Sequence, residues 1–363
     1  IMGATVSSDL MDASLLEWLS QVRQLGASDL HLSAGLPPMV RVLGRLQPLD
    51  HPAITADHML RLLSSALSPW AGTCHAEHKP ALWATSALPQ DHDAAVAVSG
   101  LGRFRVNVFA QQRGWSSVWR AIATHIPTLE EVTAPASLRD WVLQPHGLLL
   151  VTGATGSGKS STLAALIHHL NTTQSLHILT LEDPIEFEHP SQRALIQQRA
   201  VPGHSEGFDT ALRAALRQDP DVIMVGELRD LPTIRLALSA AETGHLVLAT
   251  LHSRSATQAV ERLVDVFPSE EKSLIRNQLS LSLLAVITQT LCMHANQRQR
   301  VAAHEVLYAN PAVRHLIREQ KTAQLPNALQ TGAQYGMQTL SQALQRLQTQ
   351  GLITAEEAAA HAP

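Results

Sequence analysis

The sequence predicts a two-domain α/β protein: a small α+β domain, then a parallel, helix-covered sheet that carries a phosphate-binding loop. Three observations predict it. Strand and helix patterns alternate through the second half, as they do where parallel strands are joined by crossover helices. The run Gly153-Ala154-Thr155-Gly156-Ser157-Gly158-Lys159-Ser160 matches G-x-x-x-x-G-K-[ST] in full, between the apolar stretch Leu148–Val151 and a helical pattern from Ser161. In the first half, Gly102–Phe109 alternates as a strand and is followed, past a turn at Gly114, by a second strand, Ser116–Ile122.

A chain of 363 residues accommodates two domains, and 45 % apolar against 16 % charged residues makes a packed core feasible and disorder unexpected. Lys plus Arg number 27 against 31 Asp plus Glu, and aromatics are 4 %, which argues against a basic, aromatic-lined channel for nucleic acid. The two cysteines, Cys74 and Cys292, are far apart and form no C-x-x-C, which excludes a disulfide framework or a four-cysteine zinc site within this chain and points to a reducing compartment. No apolar run has the length to span a bilayer and no signal peptide is visible. The first residue is Ile1, so Met2 or Met11 is read as the native start.

In order, Leu15–Leu25 has helical apolar spacing and stops at Gly26; Ser28–Leu32 and Met39–Leu43 read as strands about a Pro37-Pro38 turn; Ala56–Ala66 reads as a helix. Residues 68–92, rich in Pro, His and Ala, give no clear pattern. A Pro-containing linker is expected over 124–135 between a first domain at 11–123 and a second at 136–363. The second is expected to place strands near 147–152, 176–181, 221–226 and 245–250 and helices near 159–170, 207–217, 230–242 and 255–265. From about 268 onward helices are expected to dominate, around one strand at Val301–Tyr308.

Ligands of an open parallel sheet bind at the carboxyl ends of its strands, and polar residues follow four strand patterns here. Gly153, Gly156 and Gly158 let backbone N–H groups curl around phosphate oxygens at the positive end of a helix; Lys159 is placed to reach the β- and γ-phosphates, and Ser160 to bind Mg²⁺. Thr155, Ser157 and Ser161 complete the predicted ATP-binding stretch. After His177–Leu181 comes Glu182-Asp183-Pro184-Ile185-Glu186, kept from helix by its proline, whose carboxylates are candidates to orient the attacking water. Glu227 ends the next strand and could hold Mg²⁺ directly or through water; Gly226 occupies the slot of the usual Asp. His252 follows the fourth strand, where it could contact the γ-phosphate; His245 opens the same strand and reads equally as a structural histidine. The adjacent His168 and His169 read as a solvated helix face. In the first half, Arg103, Arg105, Arg113 and Arg120 lie on two adjacent strands and their turn, either a surface stripe or a phosphate clamp acting across a domain or subunit boundary.

With those residues in hand, the chain resembles the secretion ATPases of the type II/type IV pilus superfamily, and within them the type IV pilus retraction ATPases of the PilT family, from about Leu16 to Leu352. Ala27–Pro38 resembles that family's N-terminal signature, Arg103–Asn107 its arginine-bearing strand, Leu181–Glu186 its acidic box with Glu186 as catalytic base, Leu216–Asp230 its atypical Walker B, and Glu242–His252 its histidine box. Pro311–Glu319 resembles the A-I-R-N-L-I-R-E element of retraction members, departing at Val313 and His315. The tetracysteine element and long N-terminal extension of assembly members are not seen. The resemblance implies a PAS-like N-terminal domain, a RecA-like ATPase domain, ATP with Mg²⁺, and a cytoplasmic homohexamer docked at the inner membrane on a pilus platform protein. It implies that hydrolysis changes the angle between domains about the 124–135 linker, and it leaves a low-turnover scaffold, partnered with a paralogous retraction ATPase, as the alternative. Further alternatives are an assembly-type secretion ATPase and a nucleic-acid translocase of related fold.

Overall fold

A computed structural model describes residues 4–6, 11–67, 91–122, 125–201, 205, 207–297 and 299–362. The chain divides into two compact units, Ile1–Thr124 and His125–Pro363. Cys74 and residues 68–90 of the unpatterned stretch lie outside the described residues.

The first unit runs β1 (Ala4–Val6), α1 (Ala13–Gln24), β2 (Asp29–Ser33), β3 (Met39–Val42), β4 (Arg45–Pro48), α2 (Ala56–Leu67), β5 (Asp91–Val98), β6 (Gly102–Gln111) and β7 (Gly114–Ala121). Its seven-stranded sheet has the order β1-β5-β6-β7-β2-β3-β4. Asp12 caps α1 by accepting from the Ser14 N–H at 2.9 Å, and Leu15, Trp18, Leu19 and Val22 form the buried stripe of that helix. They pack with Met59, Leu62 and Leu63 of α2 on the sheet face made by Leu30, Leu32, Phe104, Val106, Val108 and Trp119. Arg103 and Arg105 alternate with Phe104 and Val106 and stay only partly buried. Periodicity missed β4, an exposed four-residue strand, and β5, whose second half is a run of Ala and Val.

The second unit runs α3 (Leu138–Trp141), β8 (Gly147–Thr152), α4 (Lys159–Thr173), β9 (His177–Glu182), β10 (Leu195–Ala200), α5 (Phe208–Ala215), β11 (Val222–Val225), α6 (Leu231–Glu242), β12 (Leu246–Leu251), α7 (Ala256–Asp265), α8 (Lys272–Ser282), β13 (Leu283–Met293), β14 (Arg300–Tyr308), α9 (Pro311–Arg318), α10 (Leu325–Thr331), α11 (Leu340–Thr349) and α12 (Ala355–Ala360). The sheet order is β10-β9-β11-β12-β8-β13-β14. All neighbours are parallel except β13 and β14. Both faces are covered: Leu148 and Leu150 enter one core with α5 to α8, and Leu149 and Val151 enter another with α3 and α4. This is the RecA-like arrangement.

Three expectations are corrected. Beside the expected strand at Val301–Tyr308, the helix-dominated region from 268 contains a second long strand of the main sheet, Leu283–Met293, which is buried on both faces at its start and so shows no alternation to betray it. The strand Leu195–Ala200 at the far edge was not expected at all. The 124–135 linker is mostly not free chain: Leu129 is buried with Val132 and Ala134 against the α3–α4 core, and Thr133 Oγ1 donates to the Ala302 carbonyl at 3.0 Å.

Candidate active site

Because β8, β9, β11 and β12 are parallel neighbours in register, Thr152, Glu182, Val225 and Leu251 end on one edge of the sheet. The four polar segments that follow are thereby placed side by side. The turn 153–158 holds Gly158 at φ 88° and Gly153 at φ 143°, conformations that side chains strain to adopt. A Cβ at Gly153 would also strike the Gln289 carbonyl oxygen, and one at Gly158 would lie 2.7 Å from Gln289 Nε2. Lys159 opens α4 and donates its ammonium to the carbonyls of Gly153 and Ala154 at 2.9 and 2.8 Å. Burial lowers the Lys159 ammonium below its ordinary value, opposed by the charges of Glu227 and Glu186. Ser157 is buried with an unpartnered hydroxyl, while Ala154, Thr155 and Gly156 are exposed and Ser160 and Ser161 half-buried. A curled, glycine-built loop with a buried cation and a spare hydroxyl suits a polyphosphate.

Glu227 and His252 come together: Glu227 Oε1 lies 3.3 Å from His252 Nε2, and its other oxygen accepts from Arg229 Nε at 2.8 Å. Gly226 has a steric reason. A Cβ there would sit 3.1 Å from the Leu181 carbonyl oxygen and 3.4 Å from Glu182 Cα, so the Asp of the generic motif does not fit beside β9. The Thr250 hydroxyl donates to the Gly226 carbonyl, fastening the ends of β11 and β12.

In the acidic segment Glu186 and Asp183 are exposed, but Glu182 is the buried last residue of β9. Its carboxylate accepts from Thr180 Oγ1 at 2.7 Å, Gln198 Nε2 at 3.1 Å and the Glu186 N–H at 3.4 Å. Burial raises the Glu182 carboxyl, against hydrogen bonds from Thr180 and Gln198. Glu182 therefore holds the loop that presents Glu186, with its buried carboxylate already engaged by Thr180, Gln198 and the Glu186 N–H.

Sequence reasoning missed three side chains that shape this edge. Gln198 on β10 also donates to the Phe187 carbonyl at 2.8 Å and accepts from the His189 N–H at 2.8 Å. Gln289 on β13 donates to the Ser157 carbonyl at 2.7 Å and accepts from Thr162 Oγ1 at 2.6 Å while 3 % exposed. Arg229 falls within the stretch Leu216–Asp230 without a role assigned to it, and its place two residues beyond Glu227 was the available signal. His245 is the correction in the other direction. It precedes β12 at the opposite edge, its Nδ1 3.1 Å from the Ala240 carbonyl, and a six-residue strand of roughly 20 Å separates it from His252. His168 is likewise only partly solvated, half-buried with its Nδ1 shielded from solvent.

The four arginines belong to the first unit. Arg105 and Arg120 are directly opposite on β6 and β7. Arg120 Nε donates to Asp29 Oδ1 at 2.8 Å, and Arg105 Nε lies 3.8 Å from Asp93. Burial pushes the Asp29 carboxyl up, but hydrogen bonds from Ser28 and Arg120 outweigh it and leave it below the ordinary value. Arg113 is exposed on the β6–β7 turn, its N–H donating to Gln111 Oε1 at 3.1 Å.

Comparison with known proteins places this edge in a family. The chain is 48 % identical to the type IV pilus retractation ATPase PilT of Pseudomonas aeruginosa over 95 % of this chain and 96 % of that protein. It is 40 % identical to the type IV pilus ATPase PilU of the same organism, over 93 % of this chain and 85 % of that protein. The crystal structure of the pilus retraction motor PilT with bound ADP superposes with a TM-score of 0.82 at 40 % identity, covering 96 % of this chain and 97 % of that one. The model of the Type II/IV secretion system protein family matches residues 56–360, and the chain belongs to that family.

Proposed function

We propose that the chain is a motor ATPase that hydrolyses ATP to drive retraction of a type IV pilus. The observation that carries the proposal is the placement, at one edge of the parallel sheet, of the phosphate loop with its buried Lys159, the Glu186 segment and the Glu227–His252 pair at 3.3 Å. The donor set fits Mg²⁺·ATP. The loop 153–158 and Lys159 hold the β- and γ-phosphates, and the Ser160 hydroxyl and the Glu227 carboxylate are oxygen ligands of the kind Mg²⁺ takes. The ion's contribution is to neutralise charge on the transferred phosphoryl group. Glu186 orients the attacking water and accepts its proton, and His252, held by Glu227, donates toward the γ-phosphate. Asp183 remains an exposed candidate beside it.

The PilT likeness over nearly the whole chain supports the rest of the reading: a cytoplasmic homohexamer docked at the inner membrane on a pilus platform protein. In such a ring Arg103, Arg105, Arg113 and Arg120 supply the positive charge of a phosphate clamp acting across a domain or subunit boundary, and the first unit is PAS-like. The hinge lies before Thr128, since Leu129 onward is packed into the second unit. No helix among the described residues is long and apolar enough to cross a membrane. A second reading is a low-turnover partner of a more active paralogue; that the chain resembles two type IV pilus ATPases of one organism, PilT and PilU, is the observation that favours it. Steady-state ATP hydrolysis by the purified oligomer separates the two: sustained turnover supports the motor, and ATP binding with no turnover supports the accessory role.

A further inference from the structure

On the opposite face of β13 from Gln289, three residues further on, Cys292 is fully buried. Across from it lies α12, whose Glu357 and following His361 are one helical turn apart and half-buried. The Cys292 sulfur, a Glu357 carboxylate oxygen and a His361 ring nitrogen all lie within 4.8 Å of one another. Among the described residues no other three His, Cys, Asp or Glu side chains bring ligand atoms so close. The carboxylate is itself oriented, accepting from the Met293 N–H at 2.6 Å and meeting His361 Nε2 at 3.1 Å. We infer that Cys292, Glu357 and His361 form a binding site for Zn²⁺ or a cation of like chemistry, separate from the nucleotide edge, that ties the C-terminal helix to the strand carrying Gln289.

The ligand set selects the ion. A thiolate, an imidazole and a carboxylate suit a borderline-soft divalent cation with four-coordinate preference, the fourth place falling to water on the exposed side of His361. Mg²⁺ takes oxygen ligands and gains nothing from sulfur or imidazole, so the site does not compete for the metal of the ATPase reaction. A tetrahedral ion needs ligand atoms roughly 3.5 Å apart, which asks for about an ångström of side-chain closure. The Met293 N–H then serves as the outer contact that fixes the carboxylate. Without a cation, burial and the facing Glu357 charge push the Cys292 thiol up to about 11. A cation between the two groups offsets the Glu357 charge and stabilises the thiolate against its burial. On binding, the S–H bond is replaced by a metal–sulfur bond and the proton leaves to solvent, with no change of oxidation state.

The probe is Co²⁺, titrated into the chelator-treated full chain in excess Mg²⁺. The site predicts one equivalent bound with a near-ultraviolet sulfur-to-cobalt charge-transfer band, bleached by one equivalent of Zn²⁺. Cys292→Ser abolishes the band. His361→Ala and Glu357→Gln each weaken Co²⁺ binding at least tenfold, about the least expected when a metal ligand is lost. Wild-type ATP affinity in the variants confirms that they fold. Absence of the band in the wild type overturns the inference, as does a band that survives Cys292→Ser, which would belong to Cys74. Unchanged affinity in both His361→Ala and Glu357→Gln overturns it too, because one thiol alone would then be binding the ion.

Discussion

Replacing Gln289 with leucine tests whether the phosphate loop is held from behind by the sheet. Leucine keeps the bulk but removes the donor to the Ser157 carbonyl and the acceptor for the Thr162 hydroxyl, both short bonds at 2.7 and 2.6 Å. Ser157 is 6 % exposed and Thr162 fully buried, so neither stranded group is readily rescued by water. Each costs about 1–3 kcal/mol, giving roughly 2–6 kcal/mol in all. The two halves of that cost fall in different places. The Thr162 share lies in α4 and lowers Tm. The Ser157 share lies in the loop itself, and about 1–3 kcal/mol there weakens ATP binding by roughly 5–150-fold. The assays are ATP titration by calorimetry, thermal unfolding and steady-state hydrolysis of one preparation. A lowered Tm with wild-type ATP affinity and kcat would refute the reasoning and make Gln289 an ordinary core residue.

Three further outcomes are expected. Glu186→Ala retains ATP binding and loses turnover by at least about a hundredfold, the scale of a general base; near-normal hydrolysis by the purified variant removes Glu186 from that role. Gly226→Ala loses about 1–3 kcal/mol in a urea titration, because its Cβ meets backbone at Leu181 and Glu182 that cannot swing away; an unchanged midpoint contradicts the steric account of the missing Asp. His304 is fully buried on β14, and burial, with the Arg346 charge behind it, lowers its imidazole from 6.5 to about 4. The folded protein thus keeps it neutral while the unfolded chain protonates as pH falls below 6.5, so its contribution is intact above 6.5 and is lost on the way down to about 4. That gap is worth up to about 3 kcal/mol, and His304→Gln is expected to lose less stability than the wild type between pH 7.5 and 5; equal losses count against it.

The legible and illegible parts of this molecule divide along one physical line. The strand ends that carry chemistry announced themselves, because polar residues such as Glu182, Glu227 and His252 interrupt short apolar runs. The arginine strand was legible because one face is buried, which imposes the alternation of Phe104 and Val106 with Arg103 and Arg105. Both missed strands of the second unit lack such a mark: β13 begins as a continuous apolar run and β10 is a polar edge strand. Those two strands deliver Gln289 and Gln198. One glutamine ties Ser157 to Thr162 behind the phosphate loop, and the other ties Glu182, Phe187 and His189 around the segment that presents Glu186. The groups that would touch nucleotide are local in sequence, whereas the groups that hold them in place come from strands paired only in three dimensions. A neutral amide suits this task, since it donates and accepts at once without placing a charge beside Lys159 or Glu182. The same reasoning explains why Glu182, read as a ligand on its loop, becomes a support once β10 is beside it: the partner that occupies its carboxylate was the element that the sequence concealed.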